Sequence, residues 1–432
     1  MTADADDPHV TDMQTQHCDV FVVGGGPAGS AVAMLLAEGG LDVVLAERER
    51  HPRFHVGESL LPYSLPILER FGVIDQVREI GLFKPGAEFV SQDGSKNPVF
   101  RFNEALTGGP DHAYQVRRAD FDKILFDRAC FLGVRAFEGT TATIKSCNDT
   151  SVAIATESDD GDRALFHAEL LVDASGRSTI TARMQNDRHA DRRHNSAAIF
   201  GHFVGVPRLD GDRGGNIRIH LTDPGWMWQI PLTGDVTSVG VVTSGERIAG
   251  RQGSIESFFH QHVARNPEVA RLLSSAEPVS RMQTTGNFSY STTRAFGSGF
   301  VRVGDAYGFI DPIFSTGVHL AFVAAEEAAD AILAARKQPG RRIQYFGAYD
   351  RAVNLRTRYI SWFIYNFDDV AFRELLLNPR DMFGVRRAIV SVLAGDFRQD
   401  WRMTWRIASF KAIRRLTQLK IAVYGGQHTI GH

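Results

Sequence analysis

Three glycines near the start of the chain have the spacing of a turn that binds a pyrophosphate. Gly24, Gly26 and Gly29 follow a short apolar run that ends at Val23, and they precede a run rich in alanine and leucine over residues 31–37. The pattern predicts a buried parallel strand, a turn and a helix. The first glycine then permits the tight turn, the second lets a pyrophosphate approach the backbone, and the third lets helix and strand pack closely.

An acidic residue extends this pattern. A second apolar strand, predicted over residues 42–46, is followed by Glu47. A carboxylate at this place accepts a hydrogen bond from a ribose hydroxyl, while the pyrophosphate binds free N–H groups at the helix N-terminus. The combination predicts a dinucleotide site. No second G-x-G-x-x-G opens another such unit, so we expect no built-in nicotinamide domain.

The composition is typical of a globular enzyme. The 432 residues favour two or three subdomains, and 43% hydrophobic with 23% charged residues is ordinary. The net charge of −2 gives no reason to expect nucleic acid or an anionic membrane as partner. Three scattered cysteines predict neither a disulfide framework nor a metal site. Without an apolar run of membrane-spanning length or a signal peptide, we expect a cytoplasmic protein.

Further apolar patterns predict the elements around the dinucleotide site. One strand ends in the small-residue turn at 173–177, and another ends in Gly304-Asp305. Alternating apolar residues predict strands near residues 199–204, 217–221, 226–231 and 238–243. Helical spacing predicts helices over residues 119–132, 255–273 and 318–337 and throughout the region after Arg341.

Six stretches carry a family resemblance. The glycine turn with Glu47, the run 173–176 and Gly304-Asp305 together resemble the FAD-binding fold of flavoprotein monooxygenases. The W-x-W-x-I-P motif over 226–231 is similar to that of flavin-dependent halogenases. Residues 54–62 resemble the loop that straps across the flavin in those enzymes, and residues 309–317 resemble their halide-binding segment. The resemblance covers roughly residues 17–400.

The resemblance implies an α/β fold: an FAD-binding, Rossmann-like domain of the glutathione-reductase type, an inserted antiparallel β-sheet substrate domain and a helical C-terminal region. The FAD-binding domain is expected over residues 17–75, 112–190 and 291–345, and the substrate domain over 76–111 and 191–290. The C-terminal region, 346–432, is expected to cover the active site. Residues 1–16 are polar and are expected to form a disordered tail.

The resemblance also implies the site residues. Those expected to contact FAD are Gly24, Gly26, Pro27, Ala28, Gly29, Glu47, Arg48, Ser59, Arg118, Asp305, Pro312, Gly317 and Val318. A barrier between flavin and substrate is expected from Trp226, Trp228 and Pro231. Halide is expected on the backbone N–H groups of Thr316 and Gly317, where a helix N-terminus favours anions.

In this family reduced FAD, oxygen and chloride or bromide yield hypohalous acid, and one lysine directs the acid to the substrate. The matching segment is Gly81–Ala87, which makes Lys84 the expected catalytic residue. Burial should lower the pKa of its amine, and the neutral amine is the reactive form. The resemblance further implies a separate NAD(P)H-dependent flavin reductase as partner.

One departure from the family pattern bears on the substrate. Halogenases of free tryptophan carry a Glu in the halide segment where this chain has Phe314. A phenol or pyrrole, free or tethered to a carrier protein, therefore fits better. The segments 378–380 and 394–397 resemble halogenases with tethered substrates, and the basic C-terminal end could meet an acidic carrier domain. A general base stays open among Glu88, Asp93, His112 and His319.

Two other enzyme classes remain possible from the residues. An FAD-dependent aromatic hydroxylase would share the cofactor site but leave Lys84 and the two tryptophans unexplained. A geranylgeranyl-reductase-like flavoenzyme would need a long lipid tunnel and no halide.

Overall fold

The computed structural model describes residues 14–191, 195–286, 289–398 and 400–425. The strands are, in chain order, β1 (Gln14–Val23), β2 (Val43–Ala46), β3 (Leu82–Lys84), β4 (Gly86–Val90), β5 (Val99–Arg101), β6 (Ala113–Gln115), β7 (Arg135–Phe137), β8 (Thr140–Cys147), β9 (Val152–Ser158), β10 (Arg163–Asp173), β11 (His189–Ala190), β12 (Ser196–Val204), β13 (Ile217–Leu221), β14 (Trp226–Pro231), β15 (Val236–Ser244), β16 (Glu277–Pro278), β17 (Gln283–Thr285), β18 (Tyr290–Ser291), β19 (Phe296–Gly297), β20 (Phe300–Arg302) and β21 (Gly308–Phe309).

The helices are α1 (Pro27–Glu38), α2 (Leu65–Arg70), α3 (Ile74–Ile80), α4 (Arg118–Phe131), α5 (Ile180–Met184), α6 (Gly245–Ala249), α7 (Ile255–Val263), α8 (Pro267–Leu272), α9 (Gly317–Lys337), α10 (Arg342–Tyr365), α11 (Val370–Leu377), α12 (Val385–Ala394) and α13 (Trp401–Gly425). No helix in the described ranges is long and apolar enough to cross a membrane.

The first sheet has a parallel centre in the order β20-β10-β1-β2-β7. Its central strands are buried on both faces, which explains their continuous apolar runs. One face packs against α1, α4, α9 and α10, and the other packs against the β8–β9 hairpin. Since parallel strands end at the same edge, the turns after Val23, Ala46, Asp173 and Arg302 meet there, which is where ligands bind in such sheets.

The second sheet has the order β16-β12-β15-β14-β13-β4-β5, with β17 also paired to β12. Its pairs are antiparallel except for β13 with β4. One face packs against α7 and α8. The other face carries Trp226 and Trp228 and packs against the C-terminal half of α10 and against α11, α12 and α13.

The fold class is confirmed, and several local expectations need correction. Strand β1 begins at Gln14 and pairs with Ala164 of β10, so residues 14–16 belong to the sheet and not to a tail; residues 1–13 lie outside the described ranges. The helix expected over 255–273 is two helices, because Asn266 caps a new helix that starts at Pro267. The domain boundaries stay predictions; those at 75/76 and 345/346 fall inside α3 and α10.

Candidate active site

The glycine turn has the geometry that its spacing predicts. Gly24 has φ +105°, and a Cβ there would lie 2.3 Å from the Ala174 carbonyl oxygen. A Cβ on Gly29 would lie 1.7 Å from the Gly24 carbonyl oxygen, so only glycine lets α1 pack this closely. A Cβ on Gly26 would meet only the Arg53 guanidinium, at 3.5 Å, and would otherwise enter open space. This turn is a cradle shaped for a pyrophosphate.

Glu47 anchors the turn from the end of β2. Its Oε2 accepts a hydrogen bond from Gly25 N at 2.7 Å and from the Arg53 Nη2 at 3.4 Å, and its Oε1 accepts one from Glu49 N at 3.0 Å. Each carboxylate oxygen has two lone pairs, so Oε1 retains acceptor capacity for a ribose hydroxyl. Glu47 thus fixes the shape of the site in addition to the expected ligand contact.

A buried charge network lies beside the turn. The Arg118 guanidinium donates to both carboxylate oxygens of Asp122, at 2.8 and 3.0 Å, and to Val56 O at 3.0 Å. Arg53 Nη1 donates to Asp122 at 3.1 Å. Burial opposes ionisation of Asp122, but the Arg118 and Arg53 cations hold its pKa below the ordinary value. The network ties α4 to Arg53 and Val56, at the start of the loop over residues 54–62 that resembles the flavin strap and is called the strap below.

The strap is also tied to the second sheet. The Phe54 ring stacks on Phe200 of β12 with centroids 5.9 Å apart. Oε1 of Glu58 lies 2.8 Å from Nε2 of His202, also on β12. Two anchors on one strand hold the strap between the two sheets.

A cleft of about 780 Å³ runs along the carboxyl edge of the first sheet to β13 and β14 of the second. This volume lies in the range of small-molecule and cofactor sites. Each residue expected to contact FAD lines the cleft except Gly29, which packs against the strand instead. The open space at Gly26, the free amides of α1 and the half-buried Asp305 fit an FAD molecule. Desolvation raises the pKa of Asp305 to about 6, so its carboxyl group can donate or accept a hydrogen bond near neutral pH.

The structure adds cleft residues that sequence reasoning missed. They include Arg53, Arg177, Ile217 and Ile219. Arg177 donates to Thr285 and to Gly286 O, which joins the turn at 174–178 to the end of β17 on the cleft wall. Arg177 belongs to the small-residue turn at 173–177, and its positive charge could have marked it as a ligand contact. The position of the two isoleucines in the cleft depends instead on how the strands pair.

The two tryptophans expected to form a barrier lie on the wall of the cleft. Trp226 and Trp228 alternate along β14, are both buried and line the cleft, with ring centroids 5.9 Å apart. The Trp228 ring covers Gly240 of β15, where a Cβ would lie 2.2 Å from the ring, and its Nε1 donates to Ser238 at 3.1 Å. Ile230 lines the cleft as well, whereas Pro231 is buried away from it.

The start of α9 lines the cleft. Ser315 has φ +55°, which turns the chain into the helix, and the first N–H groups of α9 have no intrahelical acceptor. Gly317 lines both the large cleft and a second cavity of about 60 Å³, whereas Thr316 lines only the second cavity. The two residues expected to bind halide therefore lie at the wall between the two cavities.

Lys84 is buried, with 1% of its surface exposed. Strand β3 alternates, so Phe83 points to solvent and Lys84 points inward. Its Nζ donates to Ser59 Oγ and to Leu60 O, both at 2.8 Å, and lies 5.3 Å from the centre of the Phe102 ring. Ser59 also lines the cleft, so one side chain separates the amine from the flavin site.

The strap brings these groups together through strand-like pairing. Leu60 N donates to Tyr114 O at 3.0 Å and Val116 N donates to Glu58 O at 2.8 Å, which places residues 58–60 beside β6. Strand β3 pairs with β6 on its other edge. Desolvation lowers the pKa of Lys84 to about 7, so a substantial fraction of the amine is neutral near pH 7.

The four candidates for a general base have other contacts. Glu88 is fully buried and accepts hydrogen bonds from Arg213 and Asn216. Asp93 holds Ser91 and Ser95 in a surface turn, and His112 stacks on Phe83 beside Asp111. His319 is buried against Phe397, and burial lowers its pKa to about 4. None of the four lines the large cleft.

The comparisons agree with this geometry. The family model described as tryptophan halogenase matches residues 19–109 and 97–374. A 1H-pyrrole-2-carbonyl-(peptidyl-carrier protein) chlorinase of Pseudomonas fluorescens is 31% identical over 414 residues, covering 89% of this chain and 90% of that protein. Among solved structures, a flavoprotein/dehydrogenase from Cytophaga hutchinsonii has a TM-score of 0.85 at 27% identity and covers 94% of this chain and all of that one.

The flavin-dependent brominase Bmp2 has a TM-score of 0.79 at 26% identity, covering 95% of this chain and 100% of that chain. These matches favour a halogenase over the aromatic hydroxylase and the geranylgeranyl-reductase-like enzyme. This chain contains the glycine cradle, the cleft beside the paired tryptophans and the buried lysine. The family model matches most of the same chain. The chain therefore belongs to the flavin-dependent halogenase family of FAD-dependent oxidoreductases.

Proposed function

We propose that this protein halogenates a pyrrole or phenol ring, with Lys84 as the residue that directs the halogenating agent. When bound and reduced, FAD supplies, with oxygen, the oxidant that converts chloride or bromide to hypohalous acid. The observation that carries the proposal is the buried amine of Lys84, one side chain away from the cleft and held by Ser59 and Leu60.

Each part of the chain has a physical task in this proposal. The amides at Thr316 and Gly317 hold the halide at the positive end of α9. Trp226 and Trp228 exclude the substrate from the flavin ring. Neutral Lys84 receives the hypohalous acid by hydrogen bonding or by forming an N–halogen bond with loss of water. The halogen then passes to the ring carbon of the substrate, and the ring loses a proton.

The substrate class rests on Phe314 and on the relatives. Phe314 is buried and packs edge-to-face on Phe363 and Phe367, so the halide segment has an apolar side chain where tryptophan halogenases carry Glu. Electron-rich phenols and pyrroles need no carboxylate at this place. The similarity to a chlorinase of carrier-bound pyrrole supports a tethered substrate.

The source of reduced flavin is part of the proposal. We infer that a separate NAD(P)H-dependent reductase supplies it in the cytoplasm. The three cysteines are free thiols, which suits a reducing compartment. Purified protein should then make no halogenated product from NADH and FAD until a flavin reductase is added.

The test compares wild-type protein with Lys84→Ala and with Lys123→Ala as a surface control. With FAD, reductase, NADH, oxygen and bromide, we expect intact-mass analysis to show bromination of a phenol or pyrrole probe by wild type and by Lys123→Ala. Lys84→Ala should consume reduced flavin at the wild-type rate and lose at least about 100-fold of product, because proton or group transfer by one positioned side chain contributes that much. Steady hydroxylation in place of halogenation would contradict the proposal.

A further inference from the structure

An exposed aromatic patch joins the turn before α12 to the start of α13. Met382, Phe383, Trp401 and Trp405 expose 52%, 66%, 72% and 38% of their surfaces. Trp401 and Trp405 are one helical turn apart and share a face of α13. A Cβ on Gly384 would lie 2.8 Å from Arg406 Nε, and the Arg406 guanidinium lies 4.5 Å from the Trp405 ring. The aromatic patch is therefore built from two elements.

The backbone holds this patch outward. Phe383 has φ +57°, a conformation that is unfavourable for a bulky residue, and Gly384 follows with φ +70°. Phe383 is both strained and two-thirds exposed, so burial does little to offset the strain. Strain of this kind marks functional positions.

The charge around the patch is strongly one-sided. Residues 401–425 contain six basic side chains and no acidic one, although the whole chain has a net charge of −2. Arg402 and Arg406 form no ion pair with a described carboxylate, and Nε of Arg406 is buried without a hydrogen-bond partner among the described residues. Exposed Trp, Met and Phe with an arginine rim is the composition of a protein-binding hot spot, and the rim calls for an acidic partner.

The patch is connected to the site of the proposed chemistry. Helix α13 packs on α12. Ser391 of α12 accepts a hydrogen bond from Leu106 N at 2.8 Å, and α12 also contacts the turn that contains Phe102, whose ring lies against the amine of Lys84. A partner bound at the patch would thus sit on helices that connect to the Lys84 amine through the Phe102 turn.

We propose that the aromatic patch with Arg402 and Arg406 is the docking surface for an acidic carrier-protein domain that presents the aromatic substrate on a flexible arm. The proposal rests on the proposed function, since it assumes that the ring is halogenated at Lys84. A helix that binds a membrane surface presents one apolar stripe along a single helical face. This patch instead combines a kinked turn with a helix and has an arginine rim.

The experiment measures halogenation of the same ring on two carriers. One substrate is pyrrole-2-carbonyl loaded on an acidic peptidyl carrier protein, and the other is its small N-acetylcysteamine thioester. We expect Arg402→Glu/Arg406→Glu to raise KM for the protein-bound ring about tenfold at low salt with little change in kcat. The small thioester should be halogenated equally by both proteins. Arg265→Glu/Arg271→Glu, which reverses two exposed arginines outside the patch, should leave both substrates unchanged.

A second variant removes the apolar anchors without changing charge. Trp401→Ser/Trp405→Ser should weaken binding of the unloaded carrier protein at high salt as well as at low salt. Equal KM values for the charge-reversed and wild-type enzymes on the loaded carrier would overturn the docking surface. If the wild type halogenates neither substrate, the proposed function fails instead. Loss of sedimentation with phosphatidylglycerol vesicles in the charge-reversed variant, with unchanged carrier kinetics, would replace the carrier by a membrane and so overturn the proposal.

Discussion

At the scale of the residue, Lys84 is a buried amine without a counter-charge among the described residues. No described carboxylate lies within ion-pair distance of its amine, and only Ser59 and the Leu60 carbonyl satisfy it. Desolvation therefore lowers its pKa to about 7 without an opposing negative charge. An apolar surrounding that destabilises an ammonium is the condition under which a lysine can act as a neutral amine.

This arrangement predicts a pH dependence of halogenation. The pKa of about 7 means that the neutral fraction of Lys84 rises as pH rises through 7. Product formed per reduced flavin should therefore fall about tenfold per pH unit below 7 and level off above it. Single-turnover assays between pH 5.5 and 9 measure this, with the rate of flavin oxidation recorded in the same samples.

The control for this profile is Lys84→Ala, whose small residual product should show no step near pH 7. A wild-type profile without a step near pH 7 would show that the amine does not titrate in the reaction. A step of equal size in flavin oxidation would assign it to the half-buried Asp305, whose carboxyl pKa is raised to about 6 by desolvation.

At the scale of the element, the turn between β1 and α1 contains two glycines with different tasks. One is needed for the packing of α1, and the other leaves space for the cofactor. The Gly29 Cβ position is occupied by the backbone of Gly24, whereas the Gly26 Cβ position faces the cleft. The two glycines are only three residues apart in the sequence. A methyl group added at Gly29 should therefore disturb the packing of α1, whereas one added at Gly26 should disturb cofactor binding.

We expect Gly29→Ala to destabilise the protein by about 1–3 kcal/mol, because α1 must move away from the sheet. Gly26→Ala should leave the melting temperature of the FAD-free protein unchanged and weaken FAD binding at least about tenfold. Calorimetry of the FAD-free variants and flavin-fluorescence titrations give the two quantities. An FAD-free melting temperature that falls equally in both variants would refute the distinction.

At the scale of the whole molecule, the cleft is where the two sheets and α9 meet. It is lined by the turns that follow β1 and β2, by β13 and β14, and by the start of α9. A ligand that binds there contacts both sheets and binds the native state only. It should therefore stabilise the entire chain and not a single lobe.

FAD at 100 times its dissociation constant should add about 2.7 kcal/mol to the free energy of unfolding and raise the melting temperature by several degrees. Riboflavin, which lacks the pyrophosphate and the adenosine, should raise it much less at the same concentration. Differential scanning calorimetry distinguishes the two. An equal shift with riboflavin would place the binding outside the glycine turn.

The sequence by itself determined the features that depend on neighbours in the chain. Strands β13 and β14 span the predicted ranges, and α9 starts one residue before its predicted bound, because alternation and capping are local signals. The glycine turn belongs here too, since its conformation depends on the absence of side chains at 24 and 29. The break at Asn266-Pro267 was also a local signal, which the helical spacing outweighed.

Only the tertiary structure decided how distant groups meet. The burial of Lys84 needs residues 58–60 on the far side of β6, and the Arg53–Asp122–Arg118 network needs α4 against the strap. Thr316 lines one cavity, and Gly317 lines both. This difference depends on how α9 packs against α10. Such contacts join residues far apart in the chain, and their geometry is set by the packing of whole elements, which no short window of sequence contains.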